Sequence, residues 1–392
     1  MSQFPRIEIA ALGSISPLGA DSGEAELAYQ RPSCRIGRRE VEGRESWAAE
    51  LSPEAEARLN KLVAEQPKYR ELDRSVLFAI LAAREALERS CWSKDSQIGV
   101  LIGSSRGATG LFEHNLRQFD RTGRVRPHSS PTTTLGNISS AVGRDLALDG
   151  VQISHSVTCS SALHAIGNAV AWIRGGLCQR FLAGAAEAPL TAFTLAQMEA
   201  LGIAKSPWEE WPCRPLGGKN SFVLGEGAAV FAIGAETSAA GPKYIIEGIG
   251  FAQEISQSPS GISESGQAFQ LALQRALEHA GSPQIDLIIL HAPGTALGDR
   301  AELEALSAVF KSDLPPITSN KFLLGHTLGA SGGLSLEYAI NILKYQRYNP
   351  FPYEIVTRSE GSYRSGRIER ILLNAAGFGG NAVSLVLSKA GE

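Results

Sequence analysis

Three stretches of this chain occur twice in the same order, and that echo constrains the fold more than any single motif. SVLFAILAAREALERS…QIGVLIGSSRG (75–107) matches AFQLALQRALEHAGSPQIDLIILHAPGT (268–295). Each reads as an amphipathic helix, a short turn and an apolar strand that ends at a Gly- or Ser-rich loop. SSALHAIGNAVAWIRGG (160–176) then matches GASGGLSLEYAINILKYQ (329–346), where small residues open helices of similar length. Finally VLGEGAAVFAIG (223–234) matches GFGGNAVSLVLSK (377–389), a Gly-rich turn entering a strand. Matched order predicts two halves, about 1–240 and 241–392, built on one βα plan. Strands alternating with helices imply largely parallel sheets covered by helices, hence an α/β layered fold. In such sheets functional groups gather beyond the carboxyl ends of the strands.

Three residues stand at such ends: Cys159, His291 and Phe378 each follow an apolar, strand-like run. Around the cysteine, Val151, Ile153 and Val157 alternate with polar residues and predict a strand. Leu163, Ile166, Ala169, Val170 and Ile173 then recur at helical spacing until Gly175 and Gly176 stop the helix. A thiol at that junction is either a buried structural cysteine or a nucleophile at a helix N-terminus, whose dipole favours thiolate. Composition allows the second reading. The five cysteines (Cys34, Cys91, Cys159, Cys178 and Cys213) are odd in number and scattered, with neither a disulfide framework nor a CxxC metal pair. No metal site is expected. The N-terminus lacks a signal pattern, and no apolar run approaches the ~20 residues of a membrane span. The chain is expected to be cytoplasmic, soluble and reduced. Its net charge of −3, without long charge blocks, excludes a nucleic-acid-binding balance.

The second half carries further chemistry. His291 leaves the strand IDLIIL for the loop HAPGTALGD, and His326 lies in SNKFLLGHTLGASGG beside Lys321. Lys321, set among Phe322, Leu323 and Leu324, is expected to be partly buried and so to need an anion. Glu226, in the Gly-flanked LGEGAA, is the candidate. The turn around Gly377, Phe378 and Gly379 can supply backbone N–H groups, with Phe378 a core residue or a mobile gate.

TCSSALHAIG, CRPLGGKNSFVLGEGAAV, HAPGTALGDRAE, NKFLLGHTLGASGG and NAAGFGGNAVSLVL together resemble the ordered motifs of the β-ketoacyl-acyl-carrier-protein synthases. The resemblance is to the elongating, Cys-His-His type and spans nearly the whole chain. It implies the thiolase-like fold, two duplicated βα halves in an α-β-α-β-α arrangement. It also implies a decarboxylative Claisen condensation, in fatty-acid or specialised polyketide or polyene biosynthesis. Cys159 would carry the acyl chain as a thioester, while His291 and His326 would hold the enolate oxygen of the malonyl unit. The backbone N–H groups of Cys159 and Phe378 would receive the oxyanion, and Lys321 held by Glu226 would support the His326 loop. No cofactor is implied beyond the phosphopantetheine that the carrier protein brings.

Some positions depart from the family pattern. Pro293 replaces a threonine that contacts the phosphopantetheine arm, while Thr295 keeps the second hydroxyl. Lys219, Asn220, Ser221 and Phe222 stand where Arg-Asp-Gly-Phe is usual, and GFGGNA stands for GFGGTN. The implied partners are an acidic acyl carrier protein and a second synthase-like subunit, in a homodimer or a heterodimer with a chain-length factor. Carrier docking calls for cations, and Lys68, Arg70, Arg74, Arg117, Arg121, Arg124, Arg126 and Lys205 are the candidates. Three alternatives stay open. The chain could be the active half of such a heterodimer, or a scaffold-type subunit, though Cys159 disfavours a scaffold. It could also be a coenzyme A-dependent thiolase-like enzyme, which would need a second cysteine beyond Cys213 that the chain lacks.

Overall fold

The computed structural model describes residues 4–93, 97–204, 207–237, 243–255, 261–357 and 366–390. Ten strands form the main sheet. The first half supplies β1 (Ile7–Ile15), β2 (Ile98–Gly103), β3 (Gln152–His155), β4 (Arg180–Glu187) and β5 (Gly227–Ala235). The second half supplies β6 (Lys243–Gln253), β7 (Leu287–Ile289), β8 (Ile317–Thr318), β9 (Arg370–Gly377) and β10 (Asn381–Ala390). Their spatial order is β8-β7-β9-β10-β6-β1-β5-β4-β2-β3. Outward from the centre, each half therefore runs first, fifth, fourth, second, third. The pairing repeats as well: two antiparallel junctions, then two parallel ones, on either side. The halves join where β1 pairs antiparallel with β6, Ile7 opposite Ile246. This is the duplicated plan that the echo predicts, but with five antiparallel junctions against four parallel ones the sheet is mixed rather than largely parallel.

Helices complete five layers. α1 (Arg74–Ser90) and α2 (Asn137–Leu146) cover the outer face of the first half, packing Phe78, Ile80 and Val142 against Val100 and Val230. Asp73 caps α1 by accepting the Ser75 N–H at 2.9 Å. α3 (Ser161–Arg174) and α6 (Ser331–Tyr345) lie between the two half-sheets in the largest apolar cluster, with Leu163, Ile166, Leu334 and Leu336. Their closeness explains the small residues that open both. A Cβ on Gly332 would stand 2.9 Å from Leu163 Cγ, so α6 reaches α3 only without one. α4 (Gln267–His279) and α5 (Ala296–Phe310) cover the outer face of the second half, burying Phe269, Leu273 and Leu306.

Not foreseen is a small sheet of Gly37–Val41, Arg44–Ala49 and Leu224–Gly225. It abuts the His326 loop: the His326 N–H donates to Val223 O at 2.7 Å, and Gly225 N–H donates to His326 O at 3.1 Å. Among the described residues, no helix is long and apolar enough to cross a membrane.

Candidate active site

The turn that carries Cys159 is held from several sides. Thr158 adopts φ +48°, a strained value for a β-branched residue that turns the chain sharply before Cys159. The N–H groups of Ser160 and Ser161 close back onto Val157 O and Thr158 O, each at 3.2 Å. Asn381, the first residue of β10, accepts from Ser160 Oγ at 2.6 Å and donates to Thr158 Oγ1 at 3.2 Å. Its amide also donates to Phe378 O at 3.0 Å, so one side chain ties the cysteine turn to the Gly377–Gly379 turn. The asparagine that departs from the family pattern thus works as a cross-link. Gly379 takes φ +85° there.

A cavity of about 310 Å³ opens over Cys159. His291, His326, Pro293, Thr295, Gly377 and Phe378 line it, with Met198, Phe222 and Phe269 giving it an apolar wall. The two imidazoles stand edge to face, ring centroids 5.4 Å apart. Burial, reinforced by the positive charge of Lys321, holds both well below the ordinary histidine range, so both are neutral near pH 7. For His326 the tautomer follows. Its Nδ1 accepts the Leu328 N–H at 3.0 Å, which puts the ring proton on Nε2. Among the described residues, that Nε2 and His291 Nδ1 are buried without a hydrogen-bond partner.

The loop bearing His291 is fixed by two carboxylates one helical turn apart on α5. Glu302 accepts from the N–H groups of His291 and Ala292 at 2.9 and 2.7 Å and from Asn374 at 2.9 Å. Asp299 accepts from Gly294 and Thr295 at 3.1 and 3.2 Å and from Leu216 at 2.7 Å. Burial pushes Asp299 up to about 7 and raises Glu302 as well.

The sequence matches the family models for the N-terminal domain of β-ketoacyl synthases over residues 30–239 and for the C-terminal domain over residues 244–352. The chain belongs to the β-ketoacyl synthase family. It is thereby a condensing acyltransferase. The synthase is 28% identical to 3-oxoacyl-[acyl-carrier-protein] synthase 2 of Staphylococcus aureus, over 99% of both chains. To 3-oxoacyl-[acyl-carrier-protein] synthase 1 of Haemophilus influenzae it is 26% identical, over 82% of this chain and 84% of that one. Two solved structures share the thiolase-like fold. The ishigamide ketosynthase/chain length factor has a TM-score of 0.85 at 20% identity, covering 99% of this chain and 100% of the other. A β-ketoacyl synthase from Burkholderia phymatum has 0.83 at 24%, covering 98% and 100%.

Three expectations for the synthase need correction. Lys321 does not pair with Glu226. Its Nζ donates to Leu290 O at 3.4 Å, and Glu302 is the carboxylate that most supports its charge, against a burial that lowers it to about 8. Glu226 instead meets Arg74 at 3.2 Å and accepts the Leu51 N–H at 3.1 Å. Arg74 therefore is not a free docking cation: it is shared between Glu56 and Glu226 and lies over the Phe78 ring. Finally, Cys159 rests as a thiol. Burial pushes Cys159 up to about 12, Glu187 adds to this, and Lys321 only partly opposes it.

Among the other docking candidates, Arg117 is paired with Glu42 at 2.9 Å, and Arg121 Nε donates to Arg117 O at 3.1 Å. Lys68 rests over the Tyr69 ring, and it is exposed along with Arg70, Arg124 and Arg126. His128 reaches Glu71 at 3.0 Å, which brings the 124–128 segment beside the Lys68–Arg70 turn. Lys205 lies outside the described residues. Sequence reasoning missed Glu302, Asp299 and Glu187. The first two carried a signal, a DxxE pair one turn into the helix after HAPGT; an acid ending the apolar strand RFLAGAAE was the signal for the third. Among the described residues no cluster of His, Cys, Asp or Glu could hold a metal ion.

Proposed function

We propose that the synthase is a 3-oxoacyl-[acyl-carrier-protein] synthase that performs a decarboxylative Claisen condensation with Cys159 as acyl acceptor. The observation that carries this reading is the meeting of Cys159, His291 and His326 around one apolar-walled cavity. In the first half-reaction the Cys159 sulfur bonds the acyl carbonyl carbon. The phosphopantetheine sulfur of the carrier leaves and takes up the thiol proton. Malonyl-carrier protein then enters. Its carboxyl–Cα bond breaks, CO₂ departs, and the electron pair becomes an enolate whose oxygen takes hydrogen bonds from the histidines, including His326 Nε2–H. The carbanion attacks the Cys159 thioester, and the Cys159 and Phe378 N–H groups hold the tetrahedral oxyanion. Collapse expels the Cys159 thiolate, which takes from solvent the one proton that the decarboxylative condensation consumes. Neutral donors in a dry cavity suit this step, each worth ~10²–10³ in rate.

The half-reactions test the assignment separately. Cys159→Ala should abolish acyl-enzyme formation and condensation yet retain decarboxylation. His291→Ala and His326→Ala should still acylate, at least in part, while CO₂ release falls roughly 100-fold or more. Intact mass spectrometry beside CO₂ release reads both. An acyl-enzyme on the Cys159→Ala protein, or wild-type decarboxylation in both histidine variants, would overturn these roles.

Partners follow from the open edge. β3 ends the ten-stranded sheet with half its backbone unpaired, which suits pairing with the same strand of a second synthase-fold chain. That chain is a second copy or a chain-length factor, as in the ishigamide ketosynthase/chain length factor and in a ketosynthase from Xenorhabdus doucetiae solved in complex with its chain length factor. Light scattering at micromolar concentration should show a dimer, and an active monomer would contradict it.

A further inference from the structure

We propose that Glu187, at the end of β4, is a positioning residue that sets both the charge beside Cys159 and the seat of His326. The proposal rests on the condensing role just argued, but the geometry is independent of it. The carboxylate is fully buried and accepts four hydrogen bonds. Oε1 takes Ser104 Oγ at 3.0 Å and the Arg106 N–H at 3.1 Å. Oε2 takes the N–H groups of Ser105 at 2.6 Å and Gly329 at 3.0 Å. The first three donors belong to the loop after β2, and the fourth to the turn that follows His326. One side chain therefore clamps a loop of the first half to the catalytic loop of the second.

What the clamp controls is specific. Leu328, between His326 and Gly329, adopts φ +43° and supplies the N–H that fixes the His326 tautomer. A non-glycine residue holds that conformation only when its surroundings over-determine it. The Glu187–Gly329 bond is the anchor directly beside it. The neighbourhood also touches the nucleophile helix, since Ala185 on β4, Ala162 on α3 and Ala330 pack in one cluster.

The charge matters because Glu187 forms no salt bridge among the described residues. Arg106, the nearest candidate by sequence, sends its guanidinium to Gln197 at 2.6 Å. Two charges of opposite sign act on Cys159, Glu187 raising its pKa and Lys321 lowering it, while neutral His291 and His326 line the same cavity. When ionised, Glu187 holds Cys159 as a thiol. The sulfur then becomes nucleophilic only as its proton passes to the leaving thiol, and stays inert to stray electrophiles between turnovers.

Two variants separate the clamp from the charge. Glu187→Gln is nearly isosteric: its carbonyl can keep Ser105 and Gly329 and its amide can donate to Ser104 Oγ, so the tie to the His326 loop stays, while the charge and the Arg106 N–H bond are lost. Glu187→Asp keeps the charge but is too short to hold both loops. The probe is iodoacetamide, with alkylation of the Cys159 peptide followed by mass spectrometry from pH 7 to 10. Glu187→Gln should be alkylated about tenfold faster than wild type at pH 9, a fall of about one unit in the thiol pKa. Glu187→Asp should alkylate as wild type but decarboxylate malonyl-carrier protein roughly 10- to 100-fold more slowly. A Glu187→Gln alkylation profile that matches wild type removes the electrostatic role. Wild-type decarboxylation by Glu187→Asp removes the clamp. Alkylation needs no carrier protein, so a wild-type enzyme unable to decarboxylate would refute the condensing role and leave the charge arm standing.

Discussion

Burial raises the Cys159 thiol to about 12, and the negative charge of Glu187 pushes the same way. A helix N-terminus alone predicts the opposite, a stabilised thiolate. Desolvation wins because α3 begins at Ser161, two residues past the cysteine, while the side chain lies in an apolar cluster with Leu195, Met198 and Phe222. That Cys159, His291 and His326 belong together is legible in the sequence because Gly- and Ser-rich motifs surround each, and all three line one cavity. Their electrostatic partners are not. Lys321 was matched to Glu226 by local pattern, whereas tertiary packing brings it Glu302 from the first turns of α5. The same packing divides two neighbouring arginines. Arg70 is exposed, while Arg74 supports the buried Glu226 carboxylate. Arg70→Glu should therefore raise the KM for acyl-carrier protein more than for a small acyl thioester, an effect that weakens as salt screens exposed charge over ~8–10 Å. Arg74→Glu should lower the melting temperature instead, by setting a carboxylate against Glu226. Steady-state kinetics on both substrates and a thermal melt check the pair; equal KM changes would place docking elsewhere.

At the scale of elements, the matched segments anticipated a duplicated strand order, because amphipathic helices and apolar strands keep their spacing after duplication. The echo could not show the small sheet that buttresses His326. One of its strands is Leu224–Gly225, two residues within a segment read as a Gly-rich turn. Nor could it show how closely the ends of β3 and β9 approach. Gly377, the last residue of β9, faces the cysteine turn so tightly that a Cβ there would lie 1.7 Å from Thr158 Oγ1 and 3.0 Å from the Cys159 N. Thr158 is already strained and is tied down through Asn381, so it cannot retreat. Gly377→Ala should leave the far-UV circular dichroism unchanged and slow acylation of Cys159 roughly 10- to 100-fold, the effect of a displacement of about 1 Å at the reacting atom. Acylation at the wild-type rate would mean that the two turns move independently.

Across the molecule, Glu187, Asp299 and Glu337 are buried carboxyl groups that form no salt bridge among the described residues. Burial pushes Glu187 and Asp299 up to about 7 and Glu337 to about 8, from ordinary values of 4.5, 3.8 and 4.5. Glu337, on α6, takes the Ser14 hydroxyl and lies near Glu85, with no salt-bridge partner among the described residues, so the middle layer itself carries one of these protons. An unfolded chain releases such protons near pH 4–5. Between there and pH 8 the native state holds protons that the unfolded state has lost. Stability from these groups is thus fully present below the unfolded values and drains away as pH rises through 7 and 8. Buried histidines act the other way but lower down: His164, held at about 4, stays neutral where unfolded histidines charge below about 6.5. Lys321, lowered to about 8, begins to favour the native state only above that pH. The window from pH 6.5 to 8 therefore belongs to the carboxyls. Across it the thermal unfolding midpoint should fall, with a slope of about 1.4 kcal/mol per pH unit for each proton retained. Glu337→Gln should flatten part of that fall, because a neutral amide has no proton to lose. A midpoint that holds or rises from pH 6.5 to 8 would show that these carboxyls are ionised in the native core, with their charges met by groups other than those seen around them.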